Sequence, residues 1–147
     1  MSHTPDVPSR NESLWIATAA ATQGPWGLAF AGGAVIGGAQ MALQLLGGHL
    51  TVAGPLAAGL VAFFLIGSIG ALLGKSRDRA RAWAHRHPWR YGVAPAIGVG
   101  ATVLPVKLLL SGAGPIGATF DALWTALSVL VIVGLVGMVV GAVRRDA

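Results

Sequence analysis

The sequence predicts an all-α integral membrane protein. It has four transmembrane helices, arranged as two in-out-in hairpins with both termini on the cytoplasmic side. Three observations carry that expectation. Of the 147 residues, 54% are hydrophobic and 10% charged, and the mean hydropathy is +0.71. A soluble domain carries about 25% charged residues, so this chain lacks the charge to cover a soluble surface. The 62 residues between Glu12 and Lys75 include no Asp, Glu, Lys or Arg, whereas about 18 apolar residues already make a spanning candidate. Finally, the positive charges, Arg10 and Lys107 apart, gather between and after the apolar stretches.

The elements follow in order. Residues 1–23 form a cytoplasmic N-terminal segment that is polar at first. Its Leu14-Trp15-Ile16 and Ala-rich continuation suit a short interfacial helix. No basic region precedes a short apolar core there, so the segment does not read as a cleaved signal peptide. Residues 24–74 form the first hairpin, with spans from Trp26 to about Leu46 and from about Val52 to Gly74. Gly47-Gly48-His49 and Gly54-Pro55 break the chain between them. Residues 75–91 form a basic loop, and residues 92–143 a second hairpin. Its spans run from Gly92 to about Ser111, interrupted by Pro95 and Pro105, and from about Ala118 to Val143. Residues 144–147 are a short tail.

Orientation comes from Lys and Arg near the span ends, which favour the cytoplasm. The loop holds Lys75, Arg77, Arg79, Arg81, Arg86 and Arg90, the tail holds Arg144 and Arg145, and the two short turns hold neither residue type. Eight Arg against two Lys, in an Ala/Gly/Val-rich chain, suits a GC-rich bacterial genome. The expected address is therefore a bacterial cytoplasmic membrane.

The halves echo one another as a possible two-plus-two parallel repeat. Gly67, Gly70 and Gly74 precede one basic cluster, and Gly134, Gly137 and Gly141 precede the other. The turns match as Ala53-Gly54-Pro55-Leu56 and Ala113-Gly114-Pro115-Ile116. Turn-to-glycine spacing is longer in the second half by about two helical turns, which keeps the same face. Lipid gives helices no hydrophobic drive to associate, so small residues at close approach supply the packing. Gly33 and Gly37 join the six glycines above as expected packing positions, within one bundle or between copies.

Three constellations could carry function. Gln40 and Gln44 lie on one face of the first span and serve either as interhelical hydrogen-bonding glue or as a polar strip along a path. In the loop, Lys75, Arg77, Arg79, Arg81, Arg86 and Arg90 interleave with Trp83 and Trp89. That composition anchors a hairpin to anionic lipid, and it also suits nucleic-acid phosphates and bases. Lys107 and Asp121 are ionisable residues inside spans, where a charge costs about 2.5–3.5 kcal/mol unless paired or wet. They are expected either to pair, to snorkel separately, or to form an ion or proton site. His85 and His87 have no third ligand nearby, so no metal site is expected.

The chain has no cysteine, which excludes thiolate metal centres, disulfides and thiol nucleophiles. No nucleophile elbow, HExxH or phosphate loop occurs. Gly74-Lys75-Ser76 follows a spanning helix, and Gly70 stands one residue too close to complete the loop spacing. No catalytic residue, cofactor or enzymatic activity is expected. The expected function is a non-catalytic, self-associating or accessory subunit of a membrane assembly, in contact with anionic lipid. One alternative is an oligomeric pore of DNA-transfer or holin type whose basic loop contacts nucleic acid. Another is a small secondary transporter or channel that uses Lys107 and Asp121.

Overall fold

The computed structural model describes residues 24–74 and 79–143. The expected N-terminal segment, Lys75, Arg77, Arg144 and Arg145 lie outside the described residues, as do the side chains of Arg79 and Arg81. Five helices follow one another: α1 Trp26–Leu46, α2 Ala53–Leu73, α3 Arg79–Arg86, α4 Pro88–Leu110 and α5 Gly114–Val143. All but α3 are long and apolar enough to cross a membrane. In lipid every backbone N–H and C=O needs a partner inside its own segment, and a helix satisfies that demand without help.

Two helix starts differ from the sequence reading. The third span begins at Pro88 rather than Gly92, so Trp89, Arg90 and Tyr91 belong to α4 and not to the loop. Pro88 accounts for the shift. Its ring fixes φ near the helical value and its missing N–H costs nothing in the first turn. The same helix runs through Pro95 and Pro105 without interruption, as membrane helices tolerate. The fourth span begins at Gly114 rather than Ala118. Gly112 and Gly114, at φ of 63° and 67°, take the left-handed turn that frees Pro115 to open α5.

The elements pack unevenly. α2 touches all the others, whereas α1 touches α2 alone among the described helices. The buried core lies where α2, α4 and α5 meet, around Leu72, Tyr91, Val99, Val103, Val129 and Val133. It is apolar but for one polar tie: the Tyr91 hydroxyl donates to the Ser68 carbonyl at 3.0 Å, and Ser68 itself donates to the Phe64 carbonyl. An aromatic cluster closes the α1–α2 side, with Trp26 5.1 Å from Phe63 and Phe63 5.2 Å from Phe64.

Candidate functional site

The glycines come first, because they set how closely the helices lie. Gly33 faces the Gly59 carbonyl, and a Cβ on it would sit 2.6 Å from that oxygen. Gly37 faces the Pro55 carbonyl at 2.9 Å by the same measure. Both glycines therefore serve the α1–α2 contact. Gly67 and Gly70 do something the sequence reading did not anticipate. They are seats for the Trp26 ring and the Pro25 ring, each 2.5 Å from where a Cβ would stand. Gly134 and Gly137 seat Trp89 and Pro88 in the same manner, at 2.6 and 2.8 Å. Gly141 lies under the His85 carbonyl. Gly74 caps α2, its N–H donating to the Gly70 carbonyl.

Those matched seats share one register. Pro88 and Trp89 stand 63 positions after Pro25 and Trp26, and Gly134 and Gly137 stand 67 after Gly67 and Gly70. The same two offsets relate two open apolar grooves, of about 480 and 460 Å³. On α1 the first is lined by Phe30, Gly33, Ala34, Gly37, Gly38 and Met41; on α4 the second is lined by Val93, Ala96, Ile97, Gly100, Ala101 and Leu104, each 63 later. On α2 and its N-cap the lining is Val52, Pro55, Leu56, Gly59, Leu60 and Phe63; on α5 it is Thr119, Ala122, Leu123, Ala126, Leu127 and Leu130, each 67 later. The matching Pro55 and Pro115 turns do not follow this register. They stand 60 apart, because α5 carries extra turns at its start: it has 30 residues against 21 in α2.

The same arithmetic reaches the intramembrane charges. Lys107 Nζ lies 3.0 Å from Asp121 Oδ2, with the two side chains 24% and 46% exposed. Subtracting 63 from Lys107 gives Gln44, and subtracting 67 from Asp121 gives Gly54. Gln44 does stand over Gly54, its Nε2 3.3 Å from a Cβ there, while its Oε1 accepts hydrogen bonds from the Thr51 hydroxyl at 2.9 Å and the Thr51 N–H at 3.2 Å. Gln40 reaches toward the same glycine from one turn away. The turn end of each pair is thus closed by a polar clasp, an amide in one and an ion pair in the other.

The neighbouring hydroxyls do not extend that clasp into a network. Ser111, Thr125 and Ser128 each donate to a carbonyl of their own helix, those of Lys107, Asp121 and Trp124. Such back-bonding satisfies a hydroxyl in an apolar medium without any partner helix. In the loop, Trp83 stacks on His87 with centroids 5.3 Å apart. Trp89 sits on Gly134 and so is turned toward α5 rather than toward an interleaved basic strip. Arg86 and Arg90 are exposed. Among the described residues no group of three His, Cys, Asp or Glu could hold a metal ion.

Among the described residues, these features define an all-helical fold with four helices long and apolar enough to span a membrane. No protein-family model, curated protein or solved structure matches the chain.

Proposed function

We propose that this chain is a non-catalytic membrane subunit that associates with copies of itself or with a larger assembly. It would sit in a bacterial cytoplasmic membrane as a two-plus-two parallel repeat of in-out-in hairpins, with both termini inside. Its basic loop would rest on anionic headgroups. One observation carries the reading. The centre of the described bundle is filled by Leu72, Val99, Val103, Val129 and Val133, while the two grooves described above are apolar and open. A solute site needs a few convergent polar groups in a cavity. What these surfaces offer is shape and apolar contact, the means by which helices associate in lipid.

The ion pair supports the same reading. Lys107 and Asp121 hold one another at the end of their pair where, in the other pair, Gln44 holds Thr51 of the turn without charge. A clasp at the turn end explains both; a transported ion explains one.

The test is the mass of the purified chain in detergent, run beside ion and solute flux in liposomes. A discrete oligomer or a stable complex, silent in flux, is the expected result. Flux through a sharp oligomer would transfer the case to the pore, and flux lost with Asp121→Asn to the transporter.

A further inference from the structure

The two helix pairs meet through one interface, and the register of 63 and 67 says what its repetition would look like. On α2, Phe64 covers Gly98 of α4, its ring 2.6 Å from where a Cβ would stand, and the Ser68 carbonyl takes the Tyr91 hydroxyl. Adding 67 carries Phe64 and Ser68 to Val131 and Leu135 on α5; subtracting 63 carries Gly98 and Tyr91 to Val35 and Leu28 on α1. Phe64 and Gly98 are half-buried, and burial inverts at the other two positions. Ser68 and Tyr91 are buried, whereas Leu135 is 48% and Leu28 70% exposed. Val131 and Val35 are 39% and 69% exposed. The face of α2 that α4 covers has an open counterpart on α5, and the face of α4 that α2 covers has an open counterpart on α1.

We infer that a second copy of this chain occupies these faces head to tail, α1 of one copy lying on α5 of the next. Val35 would then approach Val131, and Leu28 would approach Leu135. The inference rests on the self-association proposed above and names its surface. Continuity with the interface inside the chain is what selects the occupant: the same pair-to-pair step, taken once more, leads from α5 to the α1 of a neighbour. The side chains suit the step. The large-on-small contact of Phe64 with Gly98 becomes one of Val131 with Val35, and a polar tie becomes a leucine pair that leaves no donor or acceptor unmet in lipid.

Such an interface is heterologous, so its repetition closes a ring or continues as an open array. Both pairs are held to one apolar slab, which suppresses translation along the membrane normal. A ring is therefore the expected product.

The absence of cysteine makes the test clean. Single variants Val35→Cys, Val131→Cys, Leu28→Cys and Leu135→Cys are co-reconstituted in pairs and treated with a short bis-maleimide linker, which adds one thiol at each end. Leu109→Cys, on an exposed position of α4, serves as the collision control. The Val35/Val131 and Leu28/Leu135 mixtures should cross-link about tenfold more than any single variant alone, since only docked faces hold two thiols at high effective concentration. Equal cross-linking of Val35→Cys with itself would overturn the head-to-tail arrangement. A discrete oligomer of the unaltered chain with control-level cross-links in both mixtures would overturn this surface and leave self-association standing. A monomer in detergent and in bilayers, with the faces covered by lipid, would overturn both.

Discussion

Gln44 and Lys107 stand at the turn ends of their helices, 63 positions apart, Gln44 bound to the turn residue Thr51 and Lys107 to Asp121 of the next helix. Gln44 lies over Gly54 and accepts from Thr51, and Lys107 binds Asp121 at 3.0 Å. A polar clasp at that spot has one purpose in both pairs. It fixes where the second helix starts against the first, after which glycine contacts and the Pro-Trp seats set the rest.

The ion pair should therefore show coupling. Lys107→Met and Asp121→Asn each strand one charge in a poor solvent, whereas the double variant removes both. In thermal unfolding in detergent, the double loss should fall short of the sum of the single losses. Coupled contacts show about 0.5–3 kcal/mol, and the exposure of Asp121 places this pair toward the lower end. Simple additivity would show that the two groups do not act on one another.

The Pro-Trp seats make a sharper mutational contrast. Gly134→Ala puts a methyl group into the Trp89 ring and should cost about 1–3 kcal/mol, the usual penalty of overpacking. Adding Trp89→Leu should relieve part of it. Gly27→Ala and Gly38→Ala meet nothing within 4 Å. They should be neutral or stabilise by up to about 1 kcal/mol through helix propensity alone. Equal losses at all three glycines, followed by thermal unfolding, would refute the seat.

Tyr91 ties α4 to α2 through a buried hydroxyl. Tyr91→Phe keeps the ring and deletes the donor, leaving the Ser68 carbonyl without it. The expected loss is about 0.5–1.5 kcal/mol, read as a lowered Tm with an unchanged oligomer mass.

Topology is open to reporter fusions. A reporter active only outside the cytoplasm should work after His49 or Pro115 and stay silent after Arg81 or Arg145. Activity after Arg81 would contradict the in-out-in arrangement of the first two spans.

For the basic loop, Arg77, Arg79 and Arg81 replaced by Gln should weaken binding to anionic vesicles and flatten its salt dependence, as loss of phosphate contacts does. Tight, salt-insensitive binding to one DNA sequence would point instead to nucleic acid.

The chain's own letters determined the four spans, because lipid reads hydropathy as a sum over about 20 residues and needs no partner to do so. The long interval without charge and the runs ending at Gly74 and Val143 were legible for that reason. The spacing of Gly67, Gly70, Gly134 and Gly137 also announced that something packs there. What packs was decided only in three dimensions. A glycine states that space is needed; it does not state whether a helix backbone or the Pro25 and Trp26 rings will fill it. The turns suggested an alignment that the packing does not use, since the extra turns of α5 lie beyond the shared register. Lys107 and Asp121 meet because α4 and α5 are rotated to bring those two faces together, and rotation about a helix axis is invisible to a hydropathy sum. The same rotation leaves Leu28 and Val35 on one edge and Val131 and Leu135 on the other. Tertiary structure made those faces counterparts of the buried interface, because burial depends on which neighbour arrives and not on the residue alone.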